Sequence, residues 1–482
     1  MVPASPRRFP ALKVLSSQRA ATEANLQTGP GDRRTVLLLS LDWSRPKDPR
    51  TPLGQASLLA ALRAADQCDA IGISEPMNQP GFRAEAVVSR LLRHAEGRPA
   101  DHLDIAIGVY VWNDHHVRTI LRQLRQQGCS ARIILGGPQI SYAGAGLESL
   151  YPEADVFVRG YGEQALVKLS ATSAHQAIEG VHWAGTPDSG AQAQVDLAQL
   201  PSPFSLGIVD LHEQRFVRWE TQRGCRYRCS FCQHREAGAR LKQRQLASER
   251  LREEIALFVR HGVEDVAVLD PIFNDGPHYL DVLAEFQHQG YRGRLSLQCR
   301  FELVNDAFLD ACQALRVRLE FGLQTIHADE GRVVQRGNQL EKVRAVIAEL
   351  HRRGIVFEVS LIFGLPNQTL ESFRASVEFC LQHRVPTIRA FPLMLLRGTK
   401  LEQERAAYGL TENQDAIPAV VSSHTFDEDS WRRMAALAGL LDQTEGRHPA
   451  DLAGLDALDP IEKSWPTRFS PTWPDREQSA AI

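Results

Sequence analysis

Apolar positions in the first part of the chain alternate between short continuous runs and helix-spaced patterns. Residues 35–41 read TVLLLSL, which suits a buried parallel strand, and residues 53–65 then place apolar side chains at helical spacing. Further strands, separated by helical segments such as residues 117–127, are predicted at 70–74, 105–111, 131–135 and 157–159. Strands that alternate with helices predict an α/β domain of Rossmann type, with a doubly wound parallel sheet.

The alternation breaks around residues 197–203, within the segment LAQLPSPF, and then resumes in a second domain. Helical stretches such as residues 340–353 separate six predicted strands, which lie at 216–222, 265–270, 294–299, 317–323, 355–362 and 387–393. Six such units predict a partial, TIM-like (β/α)6 barrel, whose functional site lies at the carboxyl ends of the strands.

These patterns divide the chain into six predicted segments. They are a disordered tail (1–33), the Rossmann-like domain (34–196), a linker (197–210), the partial barrel (211–400), a helical C-terminal cap (401–446) and an irregular tail (447–482). The cap is predicted from helical stretches such as residues 431–441, and the last segment from its prolines and weak periodicity.

Composition and charge narrow the possible partners. The 482 residues are 43% apolar and 23% charged, with a formal net charge of -3, so bulk charge gives no sign of nucleic-acid binding. No apolar run reaches the roughly 20 residues of a membrane-spanning helix, and no secretory signal is visible, so we expect a cytoplasmic protein without membrane contact. An organellar transit peptide is the alternative interpretation of the first 34 residues, which are rich in Arg, Ser and Thr.

The eight cysteines fall into two groups. Five stand alone in apolar surroundings and are interpreted as buried, inert thiols: Cys68, Cys129, Cys299, Cys312 and Cys380. Cys225, Cys229 and Cys232 form a C-x3-C-x2-C loop directly after the first barrel strand. Three thiolates on one short loop can hold three irons of a cubane cluster and leave the fourth iron open. A structural zinc site with His234 as fourth ligand is the alternative.

This loop, with the aromatic Phe231 before its last cysteine, resembles the signature of the radical S-adenosylmethionine (SAM) superfamily. In that family the open iron is chelated by the amino and carboxylate groups of SAM, and an injected electron cleaves SAM to give a 5'-deoxyadenosyl radical. The resemblance implies a [4Fe-4S] cluster on Cys225, Cys229 and Cys232, and SAM bound with Phe231 among its cofactor contacts. It also implies an external electron donor such as flavodoxin or ferredoxin.

Further blocks are similar to the subgroup of this superfamily that carries a cobalamin (B12)-binding domain. They are LGGP at 135–138, VRGYGE at 158–163, LDPIFN at 269–274, FGLQT at 321–325, FGLP at 363–366 and LRGT at 396–399. The resemblance implies cobalamin in the first domain. Gly136, Gly137 and Gly160 follow strand ends, where the missing Cβ lets backbone approach a bulky ligand, although tight turns need glycine equally. Trp112, after the third strand, is assigned to the same cofactor-binding set.

The usual source of a cobalt ligand in cobalamin domains is absent from this chain. The pattern D-x-H-x-x-G is expected after the first strand, where the chain reads DWSRPK at 42–47. A near match, DHHVRT at 114–119, lacks the glycine and is interpreted as a helix start with Asn113 or Asp114 as N-cap. We therefore predict cobalamin binding without a protein imidazole on the cobalt.

Three polar residues at the ends of barrel strands are the candidates for holding SAM. They are Asp270, Glu302 and Gln324, and Asp270 is also the candidate catalytic residue. Because Pro271 ends the strand's hydrogen-bond ladder, we expect the Asp270 carboxylate to project into the barrel mouth. The family's glycine pair and Glu after the second strand are replaced here by LDP at 269–271. The alternative for each candidate is a solvated strand end.

These features predict a radical SAM transferase that passes a methyl or other alkyl group to a small molecule or peptide in specialised metabolism. A first alternative keeps the cluster and SAM without methylcobalamin, for example transfer of the 3-amino-3-carboxypropyl group of SAM in arsinothricin-type biosynthesis. A second alternative is a non-catalytic cobalamin or iron-sulfur binding module. Because no added basic OB-like domain is visible after the barrel, a nucleic-acid substrate is disfavoured.

Overall fold

The structure is a computed structural model that describes residues 33–212, 214–234 and 244–458. From Arg34 onward the described residues belong to one compact unit. The predicted N-terminal tail lies outside the described residues up to position 32, and the last predicted tail lies outside them beyond position 458.

The first domain is a three-layer α/β domain. Its strands are β1 (Thr35–Asp42), β2 (Asp69–Pro76), β3 (Leu103–Gly108), β4 (Arg132–Gly136), β5 (Val156–Val158) and β6 (Val181–Trp183). Its helices are α1 (Leu53–Ala65), α2 (Ala84–Ala95), α3 (Asp114–Gln126), α4 (Pro138–Ser141), α5 (Leu147–Leu150) and α6 (Gly162–Ser170).

Both faces of β1 are covered, which explains its continuous apolar run. Leu37 and Leu39 pack on one face with residues of α2 and α3. Val36 and Leu38 pack on the other face with residues of α1 and α6. A strand buried on both sides needs apolar residues at every position, whereas a half-exposed strand alternates.

The first sheet has the strand order β2-β1-β3-β4-β5-β6. All neighbours are parallel except β5 and β6, which are antiparallel. The predicted doubly wound parallel sheet is confirmed, and β6 is an antiparallel edge strand that the sequence pattern did not predict. Between β1 and β3 the direction of winding reverses, and ligands of such sheets bind beyond the carboxyl ends of the strands at this point.

The second domain contains the predicted barrel. Its strands are β7 (Phe216–Trp219), β8 (Gln222–Arg223), β9 (Arg244–Gln245), β10 (Asp265–Val268), β11 (Arg294–Cys299), β12 (Arg316–Gln324), β13 (Val356–Phe363), β14 (Ile388–Pro392), β15 (Thr411–Glu412) and β16 (Val420–Ser422). Its helices are α7 (Ser248–Arg260), α8 (Tyr279–His288), α9 (Asp306–Gln313), α10 (Ala328–Val333), α11 (Leu340–Arg353), α12 (Leu370–Gln382), α13 (Lys400–Gln403), α14 (Glu428–Gln443) and α15 (Leu452–Asp456).

Six of these strands form an open parallel sheet in the order β14-β13-β12-β11-β10-β7. Alternate residues of β12 are buried, and Leu319, Phe321 and Leu323 belong to the main core together with residues of the surrounding helices. The intervening residues, such as Glu320 and Gln324, therefore point to the inside of the curved sheet. The predicted partial barrel is confirmed, with β7 and β14 as its edges.

Two features after the barrel differ from the predicted pattern. The predicted helical cap contains α14, but it also contains the antiparallel pair of β15 and β16. The segment predicted as an irregular tail begins with a short helix, α15, whose Asp451 N-cap accepts a hydrogen bond from Gly454 N. In the part of the chain that the structure describes, no helix is long and apolar enough to cross a membrane.

The segment between β1 and α1, residues 43–51, lies against the barrel and is called the docking loop here. Asp48 pairs with Arg218 of β7 at 2.9 Å, and Lys47 Nζ lies 3.5 Å from Asp265 of β10. The Lys47 carbonyl also accepts a hydrogen bond from Gln214 Nε2 at 3.1 Å. The loop that usually supplies the cobalt ligand therefore joins the two domains in this chain.

Candidate active site

The cysteine loop begins where β8 ends, at the carboxyl end of the barrel. Gly224, with φ of +85°, turns the chain from β8 into Cys225. Downstream, Ser230 N donates to Val334 O at 3.0 Å, and Ser230 O accepts from Leu401 N at 2.9 Å. The loop is thereby fixed by backbone contacts with the segments that follow β12 and β14. Phe231 is half-buried against the main core.

The three cysteines lie close enough to affect one another's charge. Burial, together with the other two cysteines, raises the pKa of the Cys232 thiol to about 11, and burial also raises the pKa of Cys225. Arg336 Nη1 lies 3.9 Å from Cys229 Sγ. A bound metal deprotonates the thiols that coordinate it. The iron of a cluster would therefore stabilise the thiolate form that burial disfavours.

The donor set fits a cubane cluster, in which each thiolate binds a different iron. Among residues 33–212, 214–234 and 244–458, no three His, Cys, Asp or Glu side chains converge as ligands of a single metal ion. His234, the fourth ligand of the zinc alternative, contributes a backbone N–H to Cys232 Sγ at 3.4 Å, and its side chain lines the cavity described below.

The Asp270 side chain does not point where the sequence pattern suggested. Its carboxylate is fully buried and accepts hydrogen bonds from Thr221 N at 2.7 Å, Gln222 N at 3.2 Å and the Thr221 hydroxyl. The expected projection into the mouth is therefore wrong, because the free backbone N–H groups after β7 attract the carboxylate. Burial raises the pKa of Asp270 to about 7. In this geometry Asp270 holds the backbone that leads into the cysteine loop.

Two arginines that the sequence pattern did not single out stand beside the cysteines. Arg300, at the end of β11, lies over the Tyr227 ring at 4.0 Å and donates to Glu302 Oε2 at 3.2 Å. Arg336 follows α10 and donates to the Gly322 carbonyl. The Asn274 side chain accepts a hydrogen bond from Arg300 N at 2.9 Å and donates one to Arg300 O at 3.0 Å, so it fixes the Arg300 backbone.

Among the residues that the structure describes, several buried polar atoms of this group have no hydrogen-bond partner, namely Arg300 Nη1, Arg336 Nε and Glu302 Oε1. Unpartnered buried donors and acceptors are costly, so they mark a place where a polar ligand belongs. Two guanidinium groups and one carboxylate complement a molecule that carries a carboxylate and an ammonium, as SAM does. Gln324, with φ of +69°, directs its amide toward the same arginine group beside Gly322.

A cavity of about 450 Å³ opens at the carboxyl edge of the first sheet and reaches the cysteine loop. One side is an apolar slot between the sheet and helices α1 and α6, lined by Leu38, Leu58, Ala106, Ile134, Val158 and Leu166. The other side is formed by barrel residues, among them Glu220, Arg223 and Leu269. The cavity and the cysteine loop thus share a wall.

The three candidate glycines line this cavity, but two of them are also required by the backbone. At Gly137, with φ of +90°, a Cβ would lie 2.7 Å from Val109 O. At Gly160, with φ of +80°, a Cβ would lie 2.6 Å from Ala193 O. A Cβ at Gly136 would meet its nearest neighbour at 3.7 Å. The backbone therefore requires glycine at Gly137 and Gly160, and all three glycines lie where a ligand in the cavity would approach the backbone.

Tyr110, rather than Trp112, lines the cavity. The Trp112 ring stacks behind it, with ring centroids 4.5 Å apart. Burial raises the pKa of Tyr110 to about 12, which keeps its phenol protonated at neutral pH. The sequence signal for Tyr110 was its place two residues beyond β3, at the switch point of the sheet.

The near-match histidines lie outside the cavity wall. Helix α3 begins at Asp114 with Asn113 as N-cap, but the Asn113 amide bonds to Tyr110 N at 2.8 Å instead of capping the helix. The His116 ring contacts Phe82 at 4.8 Å, and neither His115 nor His116 is among the described residues that line the cavity.

Two family models match the chain. The radical SAM superfamily model matches residues 219–380, and the B12 binding domain model matches residues 46–170. The first covers the cysteine loop and the barrel up to α12, and the second covers most of the docking loop and the strands β2 to β5. Residues within each match line the cavity, from the barrel in the first case and from the first domain in the second.

Two relatives are methyltransferases by description. The chain is 27% identical to the cobalamin-dependent radical SAM methyltransferase TokK of Streptomyces tokunonensis, over 72% of this chain and 54% of that protein. It is 24% identical to the 2-(S-pantetheinyl)-carbapenam-3-carboxylate methyltransferase of Streptantibioticus cattleyicolor, over 68% of this chain and 54% of that protein. The chain thus spans about half the length of these relatives.

Solved structures share the fold. The radical SAM methyltransferase TsrM from Kitasatospora setae, solved with cobalamin and a [4Fe-4S] cluster, superposes with a TM-score of 0.64 and 20% identity, over 83% of this chain and 81% of that one. OxsB, a cobalamin-dependent SAM radical enzyme solved with aqua-cobalamin and SAM, gives 0.64 and 15%, over 86% and 67%. These likenesses confirm the arrangement of a Rossmann-like domain beside a partial barrel.

Proposed function

Because the chain belongs to the cobalamin-binding-domain subgroup of the radical SAM superfamily, we propose that it is a cobalamin-dependent methyltransferase acting on a small molecule or peptide. One observation carries the proposal. The cavity of the B12-binding domain ends on Arg223 and Gly224, directly before the first cysteine of the barrel loop. A site for a methyl carrier and a site for a radical source therefore adjoin, which methylation of an unactivated carbon requires.

Each cofactor has residues that would hold it. Cys225, Cys229 and Cys232 would bind the cluster, and the Arg300, Glu302 and Arg336 group would bind the charged end of SAM. The apolar slot between the sheet and helices α1 and α6, together with Tyr110 at the switch point, would hold cobalamin. When bound, these cofactors supply a carbon-centred radical and a transferable methyl group.

The protein itself would position the cofactors and exclude water from them. The slot presents apolar side chains such as Leu38, Ile134 and Leu166, so a bound corrinoid would displace water from both sheet and helices. At the barrel side, Asp270 fixes Thr221 and Gln222, and thereby the start of the cysteine loop. Rigid placement matters because a reactive radical abstracts hydrogen from whatever group lies nearest.

TokK and the carbapenam carboxylate methyltransferase, both methyltransferases by description, support methyl transfer over the 3-amino-3-carboxypropyl alternative. TsrM has also been solved with a tryptophan substrate, which supports a small molecule as acceptor. We therefore propose a small molecule or peptide of specialised metabolism as the methyl acceptor.

The test is anaerobic purification with cobalamin supplied, reconstitution with iron and sulfide, and mass analysis of the SAM products under a low-potential reductant. We expect bound corrinoid in the absorption spectrum, and both S-adenosylhomocysteine and 5'-deoxyadenosine among the products. Absence of corrinoid would overturn the proposal, and 5'-methylthioadenosine would point to 3-amino-3-carboxypropyl transfer instead. The triple Ala variant of Cys225, Cys229 and Cys232 is the control, which should lose the cluster and SAM cleavage.

A further inference from the structure

We propose that Arg223 is a positioning residue that fixes the cysteine loop against the cavity, so that occupancy of the cavity is transmitted to the cluster site. Arg223 is the last residue of β8 and stands two residues before Cys225. Its side chain lines the cavity. This inference rests on the proposed function, since it supposes that a corrinoid occupies the cavity and a cluster the loop.

The guanidinium of Arg223 is held between acids of both domains. Across the cavity wall, Nη1 bonds Glu163 Oε1 of the first domain at 2.7 Å, and Nη2 lies 3.3 Å from Ser57 Oγ. Within the barrel, Nη2 and Nε bond the two oxygens of Glu220 at 2.7 and 2.9 Å. A two-pronged pair of this kind fixes orientation as well as distance.

Burial makes this link stronger than a surface ion pair. The side chains of Arg223 and Glu163 are only 14% and 5% exposed, so water and salt screen their attraction weakly. Burial alone would raise the pKa of Glu163, but attraction to Arg223 outweighs it and holds that pKa below its usual range. Both groups therefore stay charged at neutral pH.

The backbone around Arg223 passes this constraint to the loop. Upstream, Asp270 holds Thr221 and Gln222, and the Gln222 amide donates to Ile272 O at 2.8 Å. Downstream, Gly224 alone separates Arg223 from Cys225. A ligand in the cavity that displaces Glu163 or Arg223 would therefore also shift the Cys225 thiolate, because only Gly224 separates it from Arg223.

A purely structural link between the domains offers the matched comparison. Arg218 of β7 pairs with Asp48 of the docking loop at 2.9 Å, so it also joins the barrel to the first domain. Arg218 is not among the residues that line the cavity. If Arg223 only joined the domains, its loss and the loss of Arg218 would have the same consequences.

The experiment compares the reconstituted wild type with Arg223→Gln, Arg223→Lys and Arg218→Gln, each with and without hydroxocobalamin. The readouts are corrinoid affinity, iron content, and the electron paramagnetic resonance spectrum and midpoint potential of the cluster. We expect corrinoid to change the cluster signal in the wild type and in Arg218→Gln. In Arg223→Gln the cluster should still be present, corrinoid affinity should fall about tenfold, and the cluster signal should no longer respond. Arg223→Lys, which keeps the charge but not the fork, should respond partially.

Glu163→Gln covers the case in which Arg223→Gln does not fold. It leaves the Arg223 and Glu220 pair intact and removes only the charge across the domain boundary, so loss of the response supports the inference. A response retained in both variants, an equal loss in Arg218→Gln, or a wild-type cluster indifferent to bound corrinoid would overturn it. Failure of the wild type to bind corrinoid at all would instead count against the proposed function.

Discussion

Arg300 is the single residue on which we expect SAM binding to depend most. Its Nη1 is buried beside the cysteine loop and has no hydrogen-bond partner in the described part of the chain. Charge-assisted hydrogen bonds contribute roughly 1.5 to 3 kcal/mol, so Arg300→Gln should weaken SAM binding about ten- to hundredfold. Titration calorimetry on the reconstituted protein measures this. Arg316→Gln, at the exposed start of β12, is the control, and unchanged SAM affinity in Arg300→Gln would remove Arg300 from the site.

Asp270 should reveal itself through pH. Its folded-state pKa of about 7 lies above the usual aspartate value of 3.8, so the folded protein binds this proton more tightly than the unfolded chain. The resulting stability is present below pH 3.8 and is lost as pH rises toward 7. In Asp270→Asn this decline should be missing. Thermal unfolding followed by circular dichroism between about pH 5 and 8 gives the comparison, and parallel curves for both proteins would contradict the assignment.

Tyr110 can be located relative to the cobalt by spectroscopy. If it faces the metal, Tyr110→His should bring an imidazole nitrogen onto cob(II)alamin and split its paramagnetic resonance lines threefold. The wild type and the double Ala variant of His115 and His116 should retain corrinoid without such splitting. His234→Ala controls for the other imidazole along the cavity. An unsplit spectrum in Tyr110→His would move the cobalt away from the switch point.

For single residues, the sequence predicted which residue types form the site better than it predicted where their side chains point. The three cysteines stand on one loop, so their spacing predicted a shared metal site. The group formed by Arg300 and Arg336 depends on the pairing of β11 with β12 and on the turn after α10, which no local pattern encodes. The direction of Asp270 depends on donors 48 and 49 residues away.

Among the elements, the turn from β4 into α4 should tolerate change least. Gly137 has φ of +90° and ψ of -179°, a region that only glycine adopts freely, and a Cβ there would meet Val109 backbone atoms. Gly137→Ala should therefore lower the free energy of unfolding by about 1–3 kcal/mol or more and displace the cavity edge. Gly146→Ala, at φ of +94° and ψ of 24° with open space around it, is the comparison at a left-handed position without a clash. Equal melting temperatures for both variants would contradict the clash.

The parallel strands of the two main sheets were predictable, and the short antiparallel strands were not. The predicted strand 294–299 matches β11, whose alternate residues reach the main core. The edge strand β6 has 3 residues, and β15 has 2, so neither carries a readable period. These strands form because a neighbouring strand offers free backbone groups. That depends on the tertiary fold and cannot be read from the local sequence.

At the scale of the molecule, the described residues of both domains, from Arg34 onward, form one compact unit. Both domains line the cavity. The ion pairs between them include Arg223 with Glu163 at the cavity wall and Arg218 with Asp48 away from it. The sequence predicted both domains and their order. It could not predict that the loop after β1 would contact the barrel, because those contacts join residues more than 160 positions apart.

The docking loop has a consequence for kinetics. A corrinoid is large, so entry between the domains requires them to part, and parting breaks the Asp48 pair with Arg218 and the Lys47 pair with Asp265. Since both pairs lie away from the cavity, they should govern the rate of cofactor loading and leave the affinity unchanged. We expect Asp48→Asn to take up hydroxocobalamin several-fold faster, and with less dependence on ionic strength, than the wild type. Stopped-flow absorbance measures the uptake, and equal rates at low salt would show that the cofactor enters by a path that leaves the loop in place.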